Sequence, residues 1–385
     1  MNSDFDFPVI GFDAKRAAQN RTGLGNYSRF VVRGLSRSGQ VGRLLLYLPD
    51  PRRTDALDGV EHEPGVALRF PGSGLWRRLK ALWRVWGMTK ELPRDGVRLF
   101  HGLTGELPLN IRRASGVRSV VTIHDLIFLR YPQYYQPVDR WIYAYKFRRA
   151  CRNADRVIAV SECTKRDIVR FFGTPEEKID VVYQGCDERF RQRVSDEKKR
   201  EVRARYALPP RYILYVGSIE ERKNLIQVAR ALPLLQDREV HVVAVGRRTA
   251  EAERIDAFVA SAGLDSRFRM VSGVPLADLP ALYQMAEVFV YPSRFEGFGI
   301  PLLEALCSGV PAIGATGSCL EEAGGPSSLY VSPDDAQAMA TALDRVLADK
   351  ELREQMVRDG YAWADRFRVE TLTQRLLETY GKLKD

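Results

Sequence analysis

Val288-Phe289-Val290-Tyr291-Pro292-Ser293-Arg294-Phe295-Glu296-Gly297-Phe298-Gly299-Ile300-Pro301-Leu302-Leu303-Glu304 reads as a buried strand, a glycine-bearing loop and the first turn of a helix. Four apolar residues, β-branched and aromatic, suit a strand covered on both faces. Pro301 suits the first helical position, where its fixed φ is already right and its missing N–H is not needed. The amides at such a helix start form an anion site, and Gly297 and Gly299 let a phosphate approach closely. Glu296 stands just before the turn and Glu304 at the end of it, so both carboxylates flank one phosphate-ready terminus. Carboxylates accept hydrogen bonds from sugar hydroxyls.

The same strand–loop–helix alternation runs outward in both directions. Strands are predicted at 9–13, 44–48, 97–101, 119–123, 156–160 and 179–182, then at 212–216, 240–245, 269–271, 288–291, 311–314 and 329–331. Helical patterns fall between them, including 26–35, 75–90, 138–152 and 163–172 in the first half. The polar stretch 189–205, closed by Leu208-Pro209-Pro210, reads as a linker. The fold class is therefore α/β, with two Rossmann-like doubly wound domains facing a central cleft. The domains are expected at 1–188 and 206–366, with a last helix, 367–385, packing back on the first. Ligands of such sheets bind at the carboxyl ends of the strands.

The 385 residues suit two domains, and a composition 45% hydrophobic and 28% charged excludes a disordered or fibrous chain. The opening MNSDFDFPVI is acidic and lacks the basic, then apolar, layout of a secretory signal. Apolar runs are far shorter than the ~20 residues of a membrane span, which points to a cytoplasmic protein or one resting on a membrane without crossing it. Five scattered cysteines without a C-x-x-C pair, with four histidines, show no zinc pattern and read as reduced thiols. A net charge of +10 implies an anionic partner, which nucleic acid, anionic lipid or a nucleoside diphosphate would each satisfy.

Three further constellations carry chemistry. Arg222 and Lys223 follow a strand that ends at Gly217, which places two cations where a diphosphate leaving group needs neutralising. Arg21-Thr22-Gly23-Leu24-Gly25-Asn26-Tyr27 lies between a first strand and a first helix but lacks the third glycine of a dinucleotide fingerprint. Gly23 and Gly25 are read as backbone donors or hinge positions. His124, beside Asp125, stands at the carboxyl end of a strand, where functional residues of such sheets collect. His101, at another strand end, is a second candidate on the acceptor side. Asp4-Phe5-Asp6 matches the Asp-x-Asp of metal-dependent sugar transfer, but precedes the first strand and is given no role; no metal is expected.

The run Tyr291–Pro311 resembles the signature of the retaining glycosyltransferases of family 4, of the GT-B fold. The resemblance extends to Val216–Asn224, to Thr122-Ile123-His124-Asp125, to Val160-Ser161-Glu162 with Gly185-Cys186-Asp187, and to Gly317–Glu321. It implies that Glu296 touches the donor sugar, that Glu304 takes the ribose hydroxyls, and that His124 contacts the sugar. Donor contacts are likewise implied for Gly297, Phe298, Gly299, Ile300, Gly217, Ser218, Arg222 and Lys223, and for Gly23 and Gly25 near the phosphates. Where many relatives carry a cation directly after the glycine, this chain has Ser218, which leaves Lys223 as the main phosphate ligand. The resemblance implies front-face transfer with retention, a donor phosphate oxygen taking the acceptor's proton. The opening motifs look most like bacterial mannosyltransferases of polysaccharide or lipopolysaccharide assembly, so the expected donor is GDP-mannose, with other UDP- and GDP-sugars, or a phosphorylase on the same fold, as alternatives.

Leu75, Leu79, Leu82, Trp83 and Trp86 recur at helical spacing, with Arg77, Arg78, Lys80 and Arg84 mostly opposite. Such a helix packs its stripe on a sheet or lies in an anionic membrane interface, facing a lipid-linked acceptor. Paired glutamates do not suit a nucleic-acid binder, and no nucleic-acid partner is expected.

Overall fold

The computed structural model describes residues 8–72 and 74–383. It divides into two compact units: Met1–Gly185 with Phe367–Asp385, and Cys186–Arg366.

The first unit is built on a seven-stranded parallel sheet. Its strands are β1 (Val9–Asp13), β2 (Arg43–Tyr47), β3 (Val66–Arg69), β4 (Leu99–Gly102), β5 (Arg118–Ile123), β6 (Arg156–Ala159) and β7 (Ile179–Val181), in the order β3-β2-β1-β4-β5-β6-β7. The second holds β8 (Tyr212–Val216), β9 (His241–Val245), β10 (Phe268–Val271), β11 (Val288–Tyr291), β12 (Ala312–Ala315) and β13 (Leu329–Val331), in the order β10-β9-β8-β11-β12-β13. Both orders step outward one way, return, and continue on the other side. The reversal falls between β1 and β4 in one sheet and between β8 and β11 in the other, the switch points where such sheets bind ligands. Buried runs such as Leu44–Leu48 and Val288–Tyr291 pack helices on both faces, each Val or Leu side chain contributing about 1.5–3 kcal/mol by its burial.

Four expectations need correcting. Val66–Arg69 is a strand, although Val66-Ala67-Leu68-Arg69 is too short and too little β-branched to signal one. The stretch 189–205 is not a linker: Asp196–Arg205 is a helix, capped by Ser195 and pinned to the second unit by Lys198 and Arg205 on the buried Asp278. The helix expected at 26–35 is Gly23–Arg37. The helix expected at 75–90 is broken into Gly74–Arg78, Lys80–Leu82 and a π-turn at Trp83–Gly87. Asp4 and Asp6 lie outside the described residues.

Candidate active site

At the β8/β11 switch point the quoted run folds as its residue types dictate. Gly299 caps the helix Ile300–Cys307 at φ +113°, a conformation that disfavours other residues, and a Cβ there would meet Leu320 at 2.7 Å. Pro301 sits in the first turn. Phe298 is buried, anchoring the loop, and Ile300 is half-buried.

Glu296 is held from three sides through one oxygen. Its Oε1 accepts from the Tyr291 hydroxyl at 3.0 Å, the Ser293 hydroxyl at 2.8 Å and the Arg222 guanidinium at 2.8 Å. Its Oε2 has no partner among the described residues, so one acceptor is fixed in place and left for a ligand. Burial pushes this carboxyl up, but Arg222, Lys223 and the Ser293 hydroxyl hold it below the usual carboxylate range. It is an anion at neutral pH.

Glu304 contrasts with it. Its Oε2 accepts from the Tyr283 hydroxyl at 2.9 Å, and burial pushes its carboxyl up to about 8, with the Asp187 charge adding to the rise. At neutral pH it carries a proton and can both donate and accept.

The two cations expected on the diphosphate part company. Arg222 lies on Glu296 and also donates to the Phe295 carbonyl, so the fold already engages its guanidinium. Lys223 has no ion-pair partner among the described residues; its ammonium lies 6.0 Å above the Tyr291 ring and 3.4 Å from where a Gly217 Cβ would stand. The Gly217 amide is engaged in the sheet with the Val245 carbonyl, and the Ser218 carbonyl accepts from the Tyr215 hydroxyl at 3.2 Å. Asn224, at φ +59°, ties the loop to its neighbours by donating to the Pro292 carbonyl at 3.2 Å and the Pro333 carbonyl at 2.6 Å.

The β1/β4 switch point has a different make-up. His124 is engaged at both nitrogens: Nε2 meets the Leu103 carbonyl at 2.9 Å and Nδ1 meets the Gln184 amide at 2.8 Å. A carbonyl only accepts, so Nε2 carries the proton and the ring is neutral; burial lowers its pKa to about 4. To bond a sugar hydroxyl through nitrogen, His124 must exchange one of these partners. Tyr27 packs edge-on against it, ring centroids 4.6 Å apart. His101 is fully buried, which removes it as a surface contact: its ring joins Tyr380 at 2.7 Å and Thr122 at 2.8 Å, and Thr122 in turn joins Tyr27 at 3.1 Å. Gly23 and Gly25 stand in the first helical turn rather than in an open loop. The Gly25 amide bonds the Asn20 side chain at 3.3 Å, and a Cβ there would lie 1.8 Å from the Asn20 carbonyl. Gly25 is a close-packing requirement.

Two family models match in series: Glycosyltransferase Family 4 over residues 21–190 and Glycosyl transferases group 1 over residues 196–363. The O-antigen chain mannosyltransferase B of Escherichia coli is 31% identical over 379 residues, covering 94% of this chain and 96% of that one. The chain is a hexosyltransferase of this glycosyltransferase family. Two solved structures, the sucrose-phosphate synthase of Thermosynechococcus elongatus and the Anabaena HepE complex with UDP and glucose, superpose over 97% of the chain with TM-scores of 0.77 and 0.75, at 22% and 18% identity. The transferase has their GT-B fold of two Rossmann-like domains.

Several residues of this candidate site escaped sequence reading. Tyr291, Ser293 and Asn224 lay inside quoted motifs with no role given them. Tyr283 and Gln184 stand 21 and 60 positions from their partners Glu304 and His124, and nothing local marks them. Trp83 of the broken segment is fully buried, its indole donating to Glu91 at 2.8 Å, while Arg84 turns inward to Asp13 and Glu106, each at 2.7 Å. Leu75, Leu79, Leu82 and Trp86 remain exposed. Among the described residues no helix is long and apolar enough to cross a membrane, and no group of three or more His, Cys, Asp and Glu side chains could hold a metal ion.

Proposed function

We propose that this transferase moves mannose from GDP-mannose to a glycan or lipid-linked acceptor of a bacterial surface polysaccharide, with retention and without a metal. The observation that carries the transfer chemistry is the ionised Glu296, whose Oε2 has no partner among the described residues, beside Lys223, which makes no ion pair among them. Glu296 Oε2 accepts from a hydroxyl of the donor sugar and fixes its orientation. Lys223, with the amides at the Ile300–Cys307 terminus, neutralises charge gathering on the diphosphate as the glycosidic bond breaks. Arg222 acts through Glu296, holding its carboxylate ionised and aimed. Glu304, neutral in the free enzyme, takes the ribose hydroxyls. A donor phosphate oxygen receives the acceptor's proton, and His124 lines the sugar. Mannose as the transferred sugar is supported by the likeness to O-antigen mannosyltransferases of Escherichia coli and Salmonella typhimurium. The reaction is assigned to the cytoplasmic face of the membrane.

The test is release of free nucleoside diphosphate from a panel of nucleotide sugars in EDTA, with the intact protein beside Glu296→Ala and Lys223→Ala. Release from GDP-mannose alone, lost in both variants, is the expected result. Release from a UDP-sugar instead would correct the donor, and release that requires added metal would correct the mechanism.

A further inference from the structure

The helix Pro137–Asn153 is seated on the first unit by its Ala144, Phe147, Ala150 and Cys151 face. On another face, Val138, Trp141, Tyr145, Arg148 and Arg152 form one stripe at spacings of three and four, and all five are exposed. Val138 is 69% exposed, Trp141 70% and Tyr145 47%. A stripe that begins aliphatic and aromatic and ends in arginines is not a solvated charged face, nor is it an apolar face awaiting a core. The helix carries five cations and one carboxylate. Its arginine end joins the end of the helix Glu162–Phe172, where Arg148 lies over the Phe172 ring at 5.6 Å and Arg170 over Phe171 at 5.3 Å.

We propose that the Val138–Trp141–Tyr145–Arg148–Arg152 stripe docks this protein on the surface of an anionic bilayer. Tryptophan and tyrosine have apolar bodies and polar tips, which places them at headgroup depth, and neighbouring arginines meet lipid phosphates. Trp141 and Tyr145 stack on each other, centroids 6.0 Å apart and planes 14° apart, so their facing surfaces are already covered and poorly disposed to take bases from a nucleic acid. The stripe differs from the exposed leucines and Trp86 of Leu75–Trp86, a segment broken into short turns in which Arg84 is withdrawn into ion pairs and only Arg77 and Arg78 stay exposed as arginines. The inference does not rest on the sugar or on the transfer reaction, since docking needs neither.

The experiment is co-sedimentation of the full chain with vesicles of phosphatidylcholine containing phosphatidylglycerol, at low and high salt, beside phosphatidylcholine alone. Arg152→Glu and the double variant Trp141→Ser/Tyr145→Ser are compared with Leu79→Ser/Trp86→Ser, and unchanged thermal melting confirms that each folds. The expected result is salt-sensitive binding to the anionic vesicles only, weakened at least about fivefold by Arg152→Glu, abolished by the double variant and retained by Leu79→Ser/Trp86→Ser. Absence of binding at low salt, equal binding to neutral vesicles, binding untouched by the Trp141 and Tyr145 changes, or preference for an oligonucleotide over vesicles would each overturn it.

Discussion

The two switch points are built from the same strand order and the same kind of edge, yet they present opposite chemistry. At β8/β11 the fold leaves charge on offer: among the described residues, an ionised Glu296 has an open oxygen and Lys223 makes no ion pair. At β1/β4 the polar groups are engaged with one another: His124 by Leu103 and Gln184, His101 by Tyr380 and Thr122, and the charged Asp13 and Glu106 by Arg84. Under the function proposed above, the β8/β11 edge stabilises charge and the β1/β4 edge holds shape. A diphosphate leaving group gathers negative charge as its bond breaks, and only preorganised charge answers that. The sugar beside His124 must be oriented, and rigid hydrogen bonds do that.

Removing the charges should break the comparison most. Glu296→Ala and Lys223→Ala are each expected to lower turnover by roughly 10²–10³-fold, the range for removing one preorganised charge-stabilising group, read as nucleoside diphosphate release. Gln184→Ala frees His124 Nδ1 without removing the ring and is expected to cost far less, about tenfold or below, mostly in the KM for the nucleotide sugar. If Gln184→Ala equals Glu296→Ala, the division between the edges is wrong.

Acid and alkali should then distinguish the edges. The folded-state pKa of His101 is lowered to about 3 and that of His124 to about 4, both by burial. Their stability contribution is complete above the unfolded value of about 6.5 and is lost as pH falls through that value toward the folded ones. Glu304 is raised to about 8 from an ordinary 4.5, so its contribution is complete below 4.5 and is lost as pH rises toward 8. Urea unfolding across pH should therefore show an acid limb and an alkaline limb, each sloping by up to about 1.4 kcal/mol per pH unit for every proton involved. Glu304→Gln should flatten only the alkaline limb and His101→Phe only part of the acid one. Were Glu304→Gln to leave the alkaline limb intact, Glu304 would not be the protonated group described above.

The smallest effect sharpens the reading of the two glycines. Gly25→Ala forces a Cβ onto the Asn20 carbonyl and should destabilise by about 1–3 kcal/mol. At Gly23 a Cβ meets nothing within 4 Å, and Gly23→Ala, in the first helical turn, should stabilise by about 0.4–1 kcal/mol. Thermal melting of the two variants decides it, and two falls of equal size would show that neither amide position is understood.

The sequence by itself determined the α/β class, the strands that carry both switch points, and the candidate edge from Gly217 to Glu304. Those rest on short-range rules: β-branched runs make strands, proline and glycine fix a helix start, and a glutamate beside such a start is legible without knowing its neighbours. Only the tertiary structure decided what those groups touch. It put Arg222 on Glu296 rather than leaving it open to a diphosphate, raised the Glu304 carboxyl by burying it, against the opposing pull of the Tyr283 hydroxyl, made His101 a core residue, and turned Arg84 inward while Trp141 and Tyr145 remained outside. In each case the deciding partner is remote in sequence, and the protonation state depends on burial, which no local pattern encodes. Periodicity shows that a helix has faces; what packs against each face is settled only when the chain is folded.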